Sequence, residues 1–121
     1  MNRSARTGQR GEEAAAEWLR RHGYLVVERN WRCGRHEIDI VADEGDRLHL
    51  VEVKCRRAGG LTSPEDALTP SKARALLKAA NAYIDMHAVG TDVQIDLIAV
   101  DDMPDGSTEV RFYPEAVRPK W

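Results

Sequence analysis

The stretch "HEIDIVADEGDRLHLVEVKC", residues 36–55, decides the fold because it carries the pattern of a β-hairpin. Its two halves are rich in Ile, Val and Leu, and Glu44 and Gly45 supply the turn between them. Side chains alternate across a strand, so Glu52 and Lys54 share one face of the second strand with leucines. We therefore predict two antiparallel strands whose charged residues need partners, because burying an unpaired charge is costly.

Two helical patterns and three further strand patterns surround the hairpin. Residues 11–22 are strong helix formers that end at Gly23, and residues 56–68 form an irregular loop. Thr69 and Pro70 then have the cap and first-position chemistry of a second helix. The further strand patterns lie at residues 24–31, 92–100 and 108–114. The predicted order is α-β-β-β-α-β-β, which favours an α/β protein with a mixed central sheet flanked by helices.

Length and composition favour a single domain over residues 1–121. The chain is 42% hydrophobic, and a chain of this length buries about two thirds of its extended surface. We expect residues 1–8 to form a flexible basic arm. The apolar runs are only a few residues long, and the first residues lack the apolar core of a signal peptide. We therefore expect a cytoplasmic protein with no membrane partner.

The charge is distributed unevenly although its sum is only −2. Residues 1–84 carry 15 Lys and Arg against 12 Asp and Glu, whereas residues 85–121 carry 3 against 8. Arg10 lies in the basic N-terminal region, and Arg56 and Arg57 directly follow the second strand of the hairpin. Positive charge thus collects near the charged pair of that strand, although a solvated surface of mixed charge explains the distribution equally well.

Asp39 on the first hairpin strand is predicted to lie close to Glu52 on the second. The turn at Glu44 and Gly45 is midway between them in sequence, so the two residues should face each other across the ladder. Two facing carboxylates repel each other unless a proton, a cation or Lys54 offsets their charge. A divalent ion is the natural occupant, because Mg²⁺ takes carboxylate oxygens together with water and phosphate.

Glu12 is a candidate third carboxylate of this group. On the first helix it shares the apolar face of Ala15 and Leu19, whereas Glu13 belongs to the polar face. We therefore predict that Glu12 points inward. A carboxylate in a first helical turn also compensates the helix dipole, and the helical pattern alone leaves that alternative open.

These residues occur within motifs that resemble the YraN family of small bacterial proteins, which is similar to archaeal Holliday junction resolvases and to the restriction-endonuclease-like superfamily. The matching segments are residues 8–19, Gly23-Tyr24, RNWR at 29–32, EIDI at 37–40, VEVKCRR at 51–57, Lys72, and IDLIAV at 95–100. The family has a glycine before the EIDI segment, where this chain has His36, which we expect to be an exposed loop residue. The resemblance implies a restriction-endonuclease-like fold.

The active-site pattern of that superfamily is an Asp, a Glu-x-Lys on the following strand, and often an earlier helical Glu. Asp39 matches the Asp, Glu52 and Lys54 match the Glu-x-Lys, and Glu12 matches the helical Glu. The resemblance thus implies a structure-specific DNA endonuclease in which Asp39, Glu52 and Glu12 hold Mg²⁺ or Mn²⁺. Lys54 would orient the attacking water or stabilise charge on the phosphoryl oxygens.

Five basic residues are candidate phosphate contacts in such a complex with DNA: Arg10, Arg56, Arg57, Lys72 and Arg74. Contacts of this kind set affinity and register without selecting a base sequence. Two other functions remain open from the sequence: a non-cleaving nucleic-acid-binding module of the same fold, and a structural or adaptor protein whose carboxylates are paired with Arg and Lys. The oligomeric state is open too, and a homodimer is compatible with it.

Overall fold

The computed structural model describes residues 3–57 and 68–119, with backbone alone for residues 3–7. The elements are α1 (Arg3–Arg21), β1 (Leu25–Cys33), β2 (His36–Asp43), β3 (Arg47–Arg57), α2 (Pro70–His87), β4 (Asp92–Asp102) and β5 (Thr108–Val117). This order confirms the predicted one. Residues 58–67, most of the predicted loop, lie outside the described residues. Neither of the two described helices is long and apolar enough to cross a membrane.

The five strands form one mixed sheet in the order β1-β2-β3-β4-β5. The pairs β1–β2 and β2–β3 are antiparallel, and the second confirms the predicted hairpin; β4–β5 is antiparallel as well. β3 and β4 are parallel over eleven residue pairs, from Arg47↔Asp92 to Arg57↔Asp102. A parallel pair requires a long crossover connection, and α2 lies within it. The sheet is therefore mixed because α2 separates β3 from β4 in sequence.

The first helix is longer than predicted. α1 begins at Arg3 rather than at residue 11, so the backbone of residues 3–8 is helical, and residues 1–2 of the predicted basic arm lie outside the described residues. Gly8 and Gly11 each weaken a helix by about 1 kcal/mol relative to Ala. That cost is too small to interrupt a segment whose other residues include Ala, Arg and Gln, which are good helix formers.

Each face of the sheet is covered by one helix. Buried side chains on the α1 side include Ala15, Ala16, Leu19, Ile40, Val51 and Ile98. Those on the α2 side include Trp31, Leu50, Leu76, Ala80, Tyr83 and Ile95. Thr69 caps α2 by accepting a hydrogen bond from the backbone N–H of Lys72, and Pro70 occupies the first turn, as predicted. The two apolar layers hold both helices against the central strands, where the charged residues of the hairpin lie.

Gly11 sets how closely α1 approaches β3. Its Cα faces Cys55, and a Cβ built on Gly11 would overlap the Cys55 Sγ. Because the glycine removes this obstacle, the helix packs directly on the strand and carries the neighbouring Glu12 toward the hairpin. Gly8 lies one turn earlier in the same helix, and a Cβ there would meet nothing within 4 Å.

Gly11→Ala is expected to lower the free energy of unfolding by about 2 kcal/mol, because overpacking a close contact costs more than the gain in helix propensity returns. Gly8→Ala is the control, and it should leave stability unchanged or raise it. Adding Cys55→Ala to Gly11→Ala should recover much of the loss by removing Sγ. Urea denaturation of the parent, Gly11→Ala, Cys55→Ala and the double variant measures the coupling, and additive effects would contradict the packing argument.

A buried polar network ties β3 to β4 at the end of the sheet away from Glu52. His49 is 2% exposed and Asp96 is 1% exposed. His49 Nδ1 lies 2.6 Å from Asp96 Oδ2, and His49 Nε2 lies 2.8 Å from Glu44 Oε1. Asp96 Oδ1 also accepts hydrogen bonds from Gln94 Nε2 at 2.7 Å and from the backbone N–H of Glu115 at 2.9 Å. The sequence patterns did not single out this network.

An imidazole between two carboxylates can donate to both only when it carries two protons. Burial by itself favours the neutral ring, but the hydrogen bonds and charges of Asp96 and Glu44 outweigh it and raise the pKa of His49. The network therefore stabilises the fold most when His49 is protonated.

Candidate active site

β2 and β3 separate at Asp39. Their described pairing runs from Asp43↔Leu48 to Ile40↔Val51, although both strands continue beyond that point. Asp39 and Glu52 are the next residues along the two strands, as the position of the turn predicted. At this point the backbone N–H of Val53 donates to Asp39 Oδ2 at 2.8 Å. The Asp39 side chain thus replaces the backbone hydrogen bonds between β2 and β3 at this point, and the opening between the two strands exposes the candidate site.

The side-chain alternation of β2 breaks at Asp39. Ile38 packs in the cluster under α2, whereas Ile40 packs in the cluster under α1, so the two do not share a face as a regular strand would require. On β1, the residue between the partners of Ile38 and Ile40 is Asn30, whose φ of 53° is in the left-handed region. Regular alternation is therefore lost within residues 37–41, because both strands are distorted there.

The environment of Asp39 disfavours its ionised form. Burial, and then the negative charge of Glu52, raise the pKa of Asp39 to about 7, and Glu12 adds to the increase. The hydrogen bond from Val53 opposes these effects only in part. The pKa of Asp39 therefore lies near neutral pH, because burial and two neighbouring carboxylates disfavour its charge.

Glu52 is paired with a lysine from α2. Lys72 Nζ lies 3.0 Å from Glu52 Oε1, with 14% of the Glu52 side chain and 47% of the Lys72 side chain exposed. Lys54, predicted to offset the carboxylates, is an exposed residue of β3. Its charge acts on the neighbouring Cys55, where it partly opposes the burial and the carboxylates that raise the pKa of that thiol to about 11. The cation that contacts Glu52 is thus Lys72, which the sequence had placed among the phosphate contacts.

Glu12 faces the site and Glu13 faces solvent, which confirms the predicted helical facing. Glu12 is half-buried, and its charge acts on both Asp39 and Cys55. Glu13 is exposed and accepts a hydrogen bond from Arg29 Nη1 at 2.6 Å. Adjacent residues of one helix therefore have different environments, one next to the carboxylates and one in a surface ion pair.

Metal ligation by three carboxylates stays a prediction. Within residues 3–57 and 68–119, no group of three or more His, Cys, Asp and Glu side chains is arranged so that it could hold a metal ion. The structure brings Asp39 and Glu52 to the opening between β2 and β3 and places Glu12 beside them. The carboxylates that are directly available as metal ligands are thus those of Asp39 and Glu52.

The family model for the uncharacterised protein family UPF0102 matches residues 11–100. The chain belongs to this family. A UPF0102 protein of Bacteroides fragilis is 43% identical over 93 residues, which cover 77% of each chain. A UPF0102 protein of Streptomyces coelicolor is 48% identical over 103 residues, which cover 83% of this chain and 79% of the relative. The resemblance inferred from the motifs is confirmed.

The UPF0102 chain also resembles a solved structure, that of the Holliday junction resolvase Hjc from the archaeal hyperthermophile Archaeoglobus fulgidus. The TM-score is 0.53 at 21% sequence identity, and the match covers 93% of this chain and 78% of the resolvase. At this identity the likeness concerns the fold. It confirms the predicted restriction-endonuclease-like arrangement of a mixed sheet between helices.

Several predicted phosphate contacts of the UPF0102 chain are paired with acidic side chains. Arg10 Nη2 donates to the Gly106 carbonyl at 2.6 Å and lies 3.3 Å from Asp102 Oδ1. Arg56 Nε donates to Asp101 Oδ1 at 2.9 Å, so its charge is offset within the sheet. Arg57 and Arg74 are exposed. Arg10 and Lys72 are exposed as well, so Arg56 is the one of the five that is only partly exposed.

The sequence patterns did not predict a cleft whose lining includes three basic residues. It has a volume of about 560 Å³ and lies between the β1–β2 turn and α2. Its lining residues are Cys33, Gly34, Arg35, His36, Ala75 and Lys78. His36 is the first residue of β2 and is half-buried, which corrects its expected place in an exposed loop. The basic residues near Gly34 in sequence could have indicated this cleft. That Lys78 lines it too follows only from the packing of α2.

Proposed function

We propose that this UPF0102 protein is a Mg²⁺- or Mn²⁺-dependent endonuclease that hydrolyses DNA phosphodiesters and selects branched structures rather than base sequences. The observation that carries the proposal is Asp39, a half-buried carboxylate at a strand opening whose pKa is raised to about 7 by burial, Glu52 and Glu12. Groups with such perturbed acidity concentrate at functional sites. Structural ion pairing alone would lower the pKa of a carboxylate rather than raise it.

The donor set fits a hard divalent cation. Asp39 and Glu52 supply carboxylate oxygens from adjacent strands, and such oxygens with water and phosphate are what Mg²⁺ binds. Asp39 Oδ2 is held by the Val53 backbone N–H, so its position is fixed before any ion arrives. A divalent cation would also neutralise the repulsion that raises the pKa of Asp39.

The roles of the protein groups follow from their positions. Asp39 and Glu52 would hold the ion, which when bound polarises the scissile phosphate and favours ionisation of a water. Glu12 would orient water beside them. Lys54, exposed on the same strand as Glu52, would contact a phosphoryl oxygen and stabilise the charge that develops on it.

DNA binding would depend on phosphate contacts at the edges of the site. Arg57, Arg74, Arg35 and Lys78 are exposed, and Arg35 and Lys78 also line the cleft between the β1–β2 turn and α2. Such contacts release counterions, so affinity should fall steeply with salt and vary little with base sequence. The likeness in fold to a Holliday junction resolvase supports branched DNA as the first substrate to test.

Incubation with Holliday junction, flapped, single-stranded and linear duplex DNA tests this function. We expect Mg²⁺- or Mn²⁺-dependent nicking that is fastest on the branched DNAs and is abolished by chelator. Absence of nicking on all four DNAs with either metal would contradict the proposal.

Glu12→Gln is expected to reduce nicking roughly a hundredfold, whereas Glu13→Gln should change it less than threefold. The two variants make the same chemical change at adjacent helical positions, but only Glu12 lies beside Asp39. Initial nicking rates at saturating metal provide the measurement. Equal losses in the two variants would show that Glu12 acts only through the stability of α1.

A non-cleaving DNA-binding module is the second candidate. The observation that favours it is the pairing of Glu52 with Lys72, which satisfies this carboxylate without a metal. Such a protein would show salt-dependent DNA binding and no metal-dependent nicking in the same assays.

A further inference from the structure

Lys72 occupies an unusual position for a lysine. It lies in the first turn of α2, where its backbone N–H donates to Thr69 Oγ1 at 3.2 Å. Glu or Gln is the favoured side chain three residues after a Thr cap, and a cation near the N-terminus opposes the helix dipole. No acidic residue offsets it within that turn. A residue that breaks a local rule at the edge of a candidate site suggests a function that outweighs the local cost.

The surroundings of Lys72 explain what its charge does there. Its Nζ lies 3.0 Å from Glu52 Oε1, and it is the cation nearest to the carboxylate pair among the described ion pairs. Glu52 is mostly buried, whereas about half of the Lys72 side chain is exposed. The backbone of Lys72 is fixed by the cap, but its ammonium group can leave Glu52 for solvent without disturbing the helix.

We propose that Lys72 is an exchangeable counterion, which occupies the cation position beside Glu52 in the metal-free protein and moves to a DNA phosphate when a divalent ion binds. The displacement of Lys72 by a divalent ion concerns only the carboxylates. The move of Lys72 to a DNA phosphate rests on the proposed function. Two cations beside one carboxylate repel each other, so the ion and the ammonium compete for Glu52. An ammonium released at the edge of the site lies where a phosphate of bound DNA would pass.

Competition has a consequence for binding. Metal binding frees a cation for DNA, and DNA in turn draws that cation away from Glu52, so each ligand should strengthen the binding of the other. A lysine that only steadied Glu52 would instead support metal binding. The two roles therefore predict opposite effects of removing the Lys72 charge.

Calorimetric titration with Mn²⁺ in the absence of DNA tests the competition. Lys72→Met should bind Mn²⁺ about tenfold more tightly than the parent, because the competing charge is gone and Met is a comparable helix former. Lys72→Arg keeps the charge and should bind like the parent. Lys78→Met makes the same change on the same helix, away from Glu52, and should also match the parent.

Binding of a fluorescent DNA junction tests the phosphate contact, with Ca²⁺ as an oxygen-binding divalent ion and with chelator as reference. For each protein we compare the DNA affinity with Ca²⁺ to the affinity with chelator. This ratio should be at least fivefold larger for the parent than for Lys72→Met. In the unsubstituted protein, Mg²⁺ titration should move the NMR signal of the Lys72 ammonium toward that of a free lysine. This last measurement needs no variant and holds even if Lys72→Met does not fold.

Unchanged or weaker Mn²⁺ binding by Lys72→Met, or a Lys72 signal insensitive to Mg²⁺, would overturn the inference. If the parent binds Mn²⁺ and nicks DNA while Lys72→Met binds Mn²⁺ no more tightly, the counterion role fails and the proposed nuclease stands. If neither protein binds Mn²⁺ and neither nicks DNA, both fail. Binding of Mn²⁺ by Lys72→Met alone would support the inference, since Lys72 would then block the site.

Discussion

Asp39→Asn is expected to abolish nicking and, in chelator at pH 8, to raise the free energy of unfolding by about 2 kcal/mol. Asn keeps an oxygen that accepts the hydrogen bond from the Val53 N–H, so the strand opening should keep its geometry. The substitution removes the charge that burial and Glu52 disfavour. Loss of a carboxylate that holds the ion should reduce nicking roughly a thousandfold or more.

The pH dependence separates this effect from a general stabilisation. Because the pKa of Asp39 is raised from 3.8 to about 7 in the folded protein, the folded state binds the proton more tightly than the unfolded chain does. The stability of the metal-free parent should therefore fall as pH rises between about 4 and 7, and Asp39→Asn should lack this component. Below that window the two proteins should be similarly stable.

Urea denaturation in chelator across this pH range, together with nicking assays, makes the measurement. Glu17→Gln is the control, since Glu17 is an exposed carboxylate of α1 that pairs with Arg21 at 3.2 Å and is not among the charges acting on Asp39. It should change neither stability nor nicking appreciably. An Asp39→Asn protein that is less stable than the parent at pH 8 would mean that Asp39 is a satisfied structural carboxylate.

Asp96→Ala is expected to lower the free energy of unfolding by roughly 3–5 kcal/mol, the largest stability loss that we predict. The substitution leaves His49 and the Gln94 amide without their buried acceptor and removes the bond from the Glu115 N–H. Buried donors without partners are costly because nothing replaces the water that they have lost. Asp105→Ala, at an exposed carboxylate that accepts from Ser107, should leave stability nearly unchanged.

The loss should also depend on pH. The pKa of His49 is raised in the folded protein, so the stabilisation from its protonation is fully present below the unfolded value of about 6.5 and is lost as pH rises through the folded pKa. The difference in stability between parent and Asp96→Ala should therefore be larger at pH 6 than at pH 9. A difference that is constant over this range would show that the network does not raise the pKa of His49.

The sequence by itself determined the order of the elements and the position of the hairpin carboxylates. The turn at Gly45 and the apolar alternation around it place Asp39 and Glu52 next to each other, since hairpin register follows from the turn. Helical periodicity distinguished Glu12 from Glu13, and Thr69 with Pro70 marked the start of α2. These features were predictable because each depends on one continuous segment, a single helix or a single hairpin.

Only the tertiary structure decided which cation contacts Glu52 and where the chain departs from regular geometry. Lys54 is two residues from Glu52 in sequence, but Lys72 contacts it, because the packing of α2 on the sheet sets that distance. The break in alternation at Asp39 requires the distorted partner strand β1, and the contact between His49 and Asp96 requires β3 and β4 to pair in parallel. Periodicity describes one segment at a time, whereas each of these contacts joins segments whose relative position is set by the packing of the whole core.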